Sequence, residues 1–341
     1  MTRQAAHVRP SFAHLLHLSD ELGVFEHASY DEPRREHGYC VDDVARALVV
    51  TCREPDPDPA QRHLVDVCLA FVLAAIAPDG CCRNRRDSTG AWTDEPTVED
   101  CWGRALWGLG YAAVHAPTDA LRDAARAGFD VAARGRSPHR HAMAFAALGA
   151  GELLLAEPTH VGALALLIDA VAVVDGPGTD EKWPWPEPRL RYANGSVAEA
   201  VLVAGMALDD PRLVDRGLEL LSFLVRTETY HGHLSVTPVV GRGPTDARPA
   251  YDQQPIEVAA IADAGARAFV ASRDDRWLRA VDLAWAWFCG VNDTATVMVD
   301  HATGAGYDGL QPLGRNENRG AESTLAALGT AQQALLPVAA R

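Results

Sequence analysis

The chain has 341 residues and a formal net charge of −15, from 31 Lys and Arg against 46 Asp and Glu. Such an acidic balance excludes a polyanionic partner, because binding DNA or RNA needs a basic surface that displaces counterions, and it suits a neutral ligand such as a sugar. Ala, Leu and Val outweigh Ile, Phe and Tyr, which favours helix over strand; the length is compatible with one large toroidal or barrel domain over residues 1–341.

The opening "MTRQAAHVRPSF" lacks an apolar stretch of signal-peptide length, and no run approaches the roughly 20 apolar residues of a membrane span. Cys40, Cys52, Cys68, Cys81, Cys82, Cys101 and Cys289 show no paired C-x-x-C spacing. That argues against a disulfide framework and a zinc centre. The expectation is a reduced, cytoplasmic protein with no metal and no cofactor.

In chain order, apolar periodicity predicts twelve helices, near 10–23, 41–53, 60–77, 98–114, 118–134, 138–154, 158–174, 195–207, 211–227, 253–271, 275–290 and 320–335. Gly-rich stretches near 230–243 and 295–312 predict hairpins. Even-numbered helices are small and apolar on most faces, as in "GRALWGLGYAAV" and "VAEAVLVAGMAL", and helices of that kind belong in an interior. Odd-numbered ones, such as "DALRDAARAGFDVAARG", carry charges opposite one apolar stripe. Connections from even to odd helices are short, and most of those from odd to even are long. The pattern predicts an all-α (α/α)6 toroid whose inner helices run parallel, with the long loops gathered at their N-terminal ends.

Acids recur at those inner starts. "HGYCVDDVARAL" brings Asp42 and Asp43, "VEDCWGRAL" Glu99 and Asp100, "YANGSVAEAVL" Glu199, "YDQQPIEVAA" Asp252 and Glu257, and "RNENRGAESTL" Glu317 and Glu322. Singly, each reads as a helix cap or dipole partner, and Thr97-x-x-Asp100 and Ser196-x-x-Glu199 fit capping boxes. Capping does not account for the aromatic and amide residues that accompany them at inner starts only: Tyr39, Trp92, Trp102, Trp183, Trp185, Tyr192, Tyr230, Tyr251 and Tyr307, with Asn194, Gln253, Gln254, Asn316 and Asn318. Carboxylates and amides bind hydroxyls in forked pairs, and rings cover the C–H face of a pyranose.

Glycosidic cleavage requires two carboxyl groups. In a ring of six hairpins the second helix faces the eighth and the fourth faces the tenth. The catalytic candidates are therefore Asp43 with Glu199 and Asp100 with Glu257, the second pair preferred for its richer polar surroundings. Tyr39, Asp42, Arg46, Trp92, Glu99, Trp102, Arg104, Trp185, Asn194, Tyr251, Asp252, Gln253, Gln254, Asn318 and Glu322 are the expected substrate contacts.

The segments "HGYCVDDVARAL", "GCCRNRRD", "VEDCWGRALWGLG", residues 183–202, "YDQQPIEVAA" and "NENRGAESTLAAL" together resemble a family of bacterial α-helical toroid proteins often labelled "glycosyltransferase". These occur fused or adjacent to glycosyltransferases and mannoside phosphorylases. The chain shows no doubly wound nucleotide-sugar domain. Val41 and Val44 stand where the family opening is closer to "GYCTDDNARAL", while both aspartates and Arg46 match. The resemblance implies a functional association with a glycosyltransferase or glycoside phosphorylase. More distantly, the architecture is similar to six-hairpin glycosidases and N-acylglucosamine epimerases, a likeness that does not choose between reactions.

The leading reading is a glycoside hydrolase-like enzyme acting on an oligosaccharide or polysaccharide. The alternatives are a sugar epimerase using bases such as His139 and His141, and a non-catalytic glycan-binding partner of a glycosyltransferase. His231, His233 and His301 read as loop residues rather than metal ligands, and Cys40 as a small buried residue.

Overall fold

The protein is described by a computed structural model covering residues 9–176 and 182–340, with side chains to residue 335. The first eight residues of the opening stretch and residues 177–181 of the predicted 175–194 loop lie outside the described residues. Among those described, twelve α-helices alternate in an inner and an outer layer. The inner helices are α2 (Val41–Cys52), α4 (Asp100–His115), α6 (Arg140–Ala156), α8 (Asn194–Ala207), α10 (Pro255–Ser272) and α12 (Ala321–Ala340); the outer ones are α1 (Ala13–His17), α3 (Pro59–Ala75), α5 (Asp119–Ala132), α7 (Val161–Val174), α9 (Pro211–Glu228) and α11 (Arg276–Phe288).

Each inner helix packs on the next, and α12 returns to α2 to close the ring. Outside it, α3 lies on α2, α5 on α4, α7 on α6, α9 on α8, α11 on α10 and α1 on α12. The architecture is an (α/α)6 toroid. Sequence pattern explains the layering: α6 is buried at every position from His141 to Leu154, whereas α5 buries only Ala125, Phe129 and Ala132. A helix with one apolar stripe has one face to give, and it gives it to the ring.

Three expectations need correction. The first helix is five residues long rather than spanning 10–23. Ser19 hydroxyl bonds back to Leu15 O and Asp20 accepts from Leu22 N, turning the chain into a hairpin of Ser19–Asp20 with Gly23–Val24. Local side-chain bonds of this kind compete with helix continuation. The predicted hairpins are also shorter or displaced: Thr229–Tyr230 pairs with His233–Leu234, and Gly309–Gln311 with Gly314–Asn316. Finally, α7 departs from the charged-outside rule, since Val161, Leu164 and Ile168 are exposed on it.

The ring is tightest between α4 and α6. A Cβ on Gly149 would lie 2.1 Å from Leu106 O, and one on Gly110 would lie 2.3 Å from Gly149 O. Two backbones this close leave no room for a side chain. Among the described residues no helix is long and apolar enough to cross a membrane, and all seven cysteines are free thiols.

Glycine is required at Gly149 but only tolerated at Gly329 of α12, where the nearest atoms to an added Cβ are 3.8 Å away. Gly149→Ala is expected to cost about 1–3 kcal/mol through overpacking. Gly329→Ala is expected to gain up to about 1 kcal/mol from helix propensity. Urea unfolding of both variants checks the pair of signs.

Candidate active site

The inner N-termini differ from the outer ones in how they begin. Four of the six outer helices are capped by side chains: Asp58 and Gln61 form a capping box on α3, Thr118 caps α5, His160 caps α7 and Asp210 caps α9, whereas α1 and α11 have no such cap. The starts of α2, α4, α6, α8 and α10 have no side-chain cap. The capping boxes expected at Thr97–Asp100 and Ser196–Glu199 therefore do not form: Glu99 and Ala193 occupy the two cap positions, and neither accepts a capping bond. Apart from Glu257, the first-turn acids of the ring are free for other work.

They surround a cavity of about 370 Å³. Asp42, Asp43 and Arg46 come from α2, Asp100 and Arg104 from α4, and Glu322 and Ser323 from α12. Tyr192 enters from the approach to α8, Gln254 from that to α10, and Glu26, His27 and Asp308 from the long loops. Parallel inner helices and long loops at one end thus produce one acidic mouth.

Two arginines order it. Arg46 places Nη2 2.8 Å from Glu322 Oε2 and 3.0 Å from Asp43 Oδ1, and its Nε donates to Asp42 O. Arg104 lies over the Phe145 ring, 4.0 Å from its centroid, with Nε 3.3 Å from Asp42 Oδ1. Asn84 Nδ2 donates to the other Asp42 oxygen at 2.9 Å. Asp43, only 2% exposed, accepts from the Cys40 thiol.

These environments separate the acids. Burial pushes the Asp43 carboxyl up to about 7, against the opposing pull of Arg46. Burial also raises Asp100, with Arg104 opposing and the Asp42 charge adding to the rise. Burial works to raise Glu322 too, but Arg46 and Arg104 prevail and hold it below the usual carboxylate range. Acidic and basic forms within one pocket are what acid–base catalysis requires.

Several expected residues are elsewhere. Glu199 lies in the second turn of α8, about 7.5 Å along the axis from Asn194 at 1.5 Å per residue, and pairs with Arg267 at 3.4 Å in a cavity at the other end of the ring. Glu257 is 4% exposed and does not line the mouth: it accepts from Ala193 N at 2.5 Å, Asn194 N at 3.3 Å and Asn194 Nδ2 at 2.9 Å. Burial lifts its pKa to about 8, against those three donated bonds. It locks the entry to α8, where Ala193 has φ +46°, and so fixes neighbouring Tyr192 in the mouth.

Aromatic and amide expectations fare differently. Of the nine rings, only Tyr192 lines the mouth. Tyr39 is buried on Phe25 and donates to Asp20; Trp92 meets Phe71 edge-on; Trp102 donates to Ala132 O; Trp185 is wholly buried beside Phe223. Large rings seal the loops onto the barrel because that removes most apolar area from water. Gln253 is buried, bonded to Asp293 and Ala250 O, while Tyr251 and Asp252 are half-buried outside the mouth lining. Asn194 serves Glu257, and Asn318 accepts from Tyr30 N. Glu99 is exposed beside His139. Missing from the sequence reading were Glu26, His27 and Asp308; the long loops carrying them were the available signal.

No protein-family model and no curated protein matches the chain. Solved structures do match in fold. A sugar epimerase from a ruminal bacterium superposes with a TM-score of 0.72 at 12% identity, covering 96% of this chain and 95% of that one. An α-1,6-mannanase of a Salegentibacter species, in complex with α-1,6-mannotetrose, gives a TM-score of 0.63 at 10% identity over 95% of this chain and 96% of its own; that protein is an inactive variant with two consecutive aspartates replaced by alanine. A cellulase of C. cellulolyticum in complex with cellobiose gives 0.60 at 8% identity, covering 93% and 88%. The likeness is one of fold, the (α/α)6 toroid.

If Glu257 serves the α8 entry, Glu257→Ala should destabilise by about 2–3 kcal/mol, the cost of stranding buried donors. Glu257→Gln keeps one acceptor oxygen but sets its amide N–H against a donor of the α8 entry, so it should cost less than Glu257→Ala and retain most mouth ligand binding. Guanidinium unfolding and ligand titration of the two variants distinguish this from a direct chemical role.

Proposed function

We propose that the chain is a carbohydrate-active enzyme of the glycoside hydrolase type, working without a cofactor as one toroidal domain, with its substrate in the acidic mouth. The observation that carries this reading is the tandem Asp42–Asp43 on the mouth floor, in a fold shared with a mannanase inactivated by loss of two consecutive aspartates. Its free thiols suit a reducing, cytoplasmic setting. The family resemblance supports work alongside a glycosyltransferase or glycoside phosphorylase.

Asp42, paired with Arg104 and bonded by Asn84, supplies the second carboxyl group. It assists attack at the anomeric carbon, as base toward water or as nucleophile. Asp100, half-buried on the neighbouring inner helix and raised by burial, donates its proton to the departing glycosidic oxygen. Asp43 is a positioning residue: it holds Arg46, which in turn holds Glu322. Glu199 and Glu257 have no part in the bond cleavage.

Against a panel of mannan, glucan and mixed oligosaccharides, Asp42→Asn and Asp100→Asn should each lower kcat by about 10²–10⁴-fold with folding intact. The wild-type rate should fall as pH rises through the raised Asp100 pKa, because the donor is then deprotonated, and Asp100→Asn should lack that alkaline limb. Wild-type turnover persisting in both variants would remove the assignment.

A sugar epimerase is the second reading, favoured by one feature. His141 is buried, its Nε2 lacks a partner, and its ring stacks 4.4 Å from Tyr192. Burial depresses its pKa to about 4, leaving a neutral base at physiological pH. Solvent deuterium appearing at a sugar carbon, and its loss in His141→Asn, would select this chemistry; unlabelled sugars after prolonged incubation would reject it.

A further inference from the structure

The polar side chains of the mouth fall into two arcs. On the side of α12 and α2 the carboxylates are already bonded: Glu26 accepts from Arg85, Asp42 from Asn84, Asp43 from the Cys40 thiol, Asp308 from Gly320 N and the Ser323 hydroxyl, and Glu322 from Arg46. On the side that runs from α4 to α10, Asp100, Tyr192 and Gln254 line the same cavity, and their side chains make no hydrogen bond or ion pair among the described residues. All three are half-buried, with their polar atoms open to the cavity. A molecule in the mouth can reach them.

Two of the three are braced from behind. Glu257 fixes the α8 entry next to Tyr192. The His141 ring stacks on the Tyr192 ring, with centroids 4.4 Å apart and planes 21° apart, so one face of the phenol is covered and the other is left to the mouth. Gln254 occupies the cap position of α10 without using its amide for a capping bond. Its neighbour Gln253 is pinned by backbone bonds to Leu310 and a side-chain bond to Asp293. A free ring face covers the C–H face of a pyranose, and a free amide both donates to and accepts from adjacent hydroxyls. The lining holds more acids than arginines, which disfavours a negatively charged sugar.

We propose that Tyr192 and Gln254 form the sugar-recognition subsite of the mouth. The open face of Tyr192 carries the C–H face of one neutral pyranose unit, the Gln254 amide holds two adjacent hydroxyls of that unit, and together they present its glycosidic oxygen to Asp100. Only this last step rests on the hydrolytic reading given above; capture of the sugar does not.

Isothermal titration of the full chain carrying Asp100→Asn, in which turnover is slowed, with α-1,6-mannotriose, cellotriose and trigalacturonate tests the subsite. At least one neutral trisaccharide should bind, and trigalacturonate should not. Tyr192→Ala and Gln254→Met should each weaken that binding about tenfold, with the urea midpoint of Gln254→Met unchanged, and Tyr192→Phe, which keeps the ring face, should lose less than Tyr192→Ala. Failure of both neutral trisaccharides to bind overturns the proposal, as does tighter binding of trigalacturonate or undiminished affinity in Gln254→Met or in folded Tyr192→Ala. Sugar captured through Tyr192 and Gln254 but never cleaved by the wild-type chain sinks the hydrolytic reading and leaves the subsite standing; cleavage with KM unchanged in both variants does the reverse.

Discussion

Six inner helices pointing the same way pose the electrostatic problem that the rest of the molecule answers. Each carries roughly half a positive charge at its N-terminus and half a negative charge at its C-terminus. Side by side, like ends face one another around the ring. The N-terminal end gathers Asp42, Asp43, Asp100 and Glu322 around Arg46 and Arg104, and the C-terminal end gathers Arg53, His115, Arg267 and Arg273 around Glu152, Glu199 and Asp263. Four of the six outer helices are capped conventionally, by Asp58, Thr118, His160 and Asp210, while α1 and α11 have no side-chain cap. Acids at the mouth and cations at the far end are thus what a closed parallel ring favours, and each end adds charges of the other sign that pair with them.

Close packing makes that ring rigid enough to hold a site. Glycines between α4 and α6 bring two backbones into contact, which sets Asp100 and Arg104 at a fixed distance from the neighbouring inner helices. Arg104 is held by an aromatic face on one side and by Asp42 on the other. Arg46 joins α2 to α12 across the ring closure through Glu322. The two arginines thus act as braces between helices; burial raises Asp43 and Asp100 against their pull, while together they hold Glu322 down.

Not every buried acid belongs to that set. Glu257 is raised by burial as a catalytic acid would be, yet its oxygens are occupied by the first donors of α8. Glu199 is raised to about 7 chiefly by burial, with Arg267 opposing, yet it belongs to the opposite compartment. A shifted pKa marks desolvation; only the position of the free oxygens shows whether a substrate can reach it.

The fold was legible because layering leaves a one-dimensional trace: all-round apolar helices such as α6 alternate with one-sided ones such as α5, and short loops alternate with long ones. The tandem Asp42–Asp43 was legible for the same reason, being the charged start of an apolar helix. The rings were misread. Tyr39, Trp102 and Trp185 sit close in sequence to the inner starts, but the chain turns them into the barrel wall, where burial of a large ring outweighs contact with a ligand. Glu26, His27 and Asp308 reach the mouth from irregular loops that have no period to read. By itself the sequence determined which helices are inner, which are outer, and which ends carry acid, because those depend on spacing along one helix. Which way each acid turns, and what its oxygens already bond, was decided only when six helices met, because the partners of Glu257 and Glu199 come from the neighbouring helix of the ring, far away in the chain.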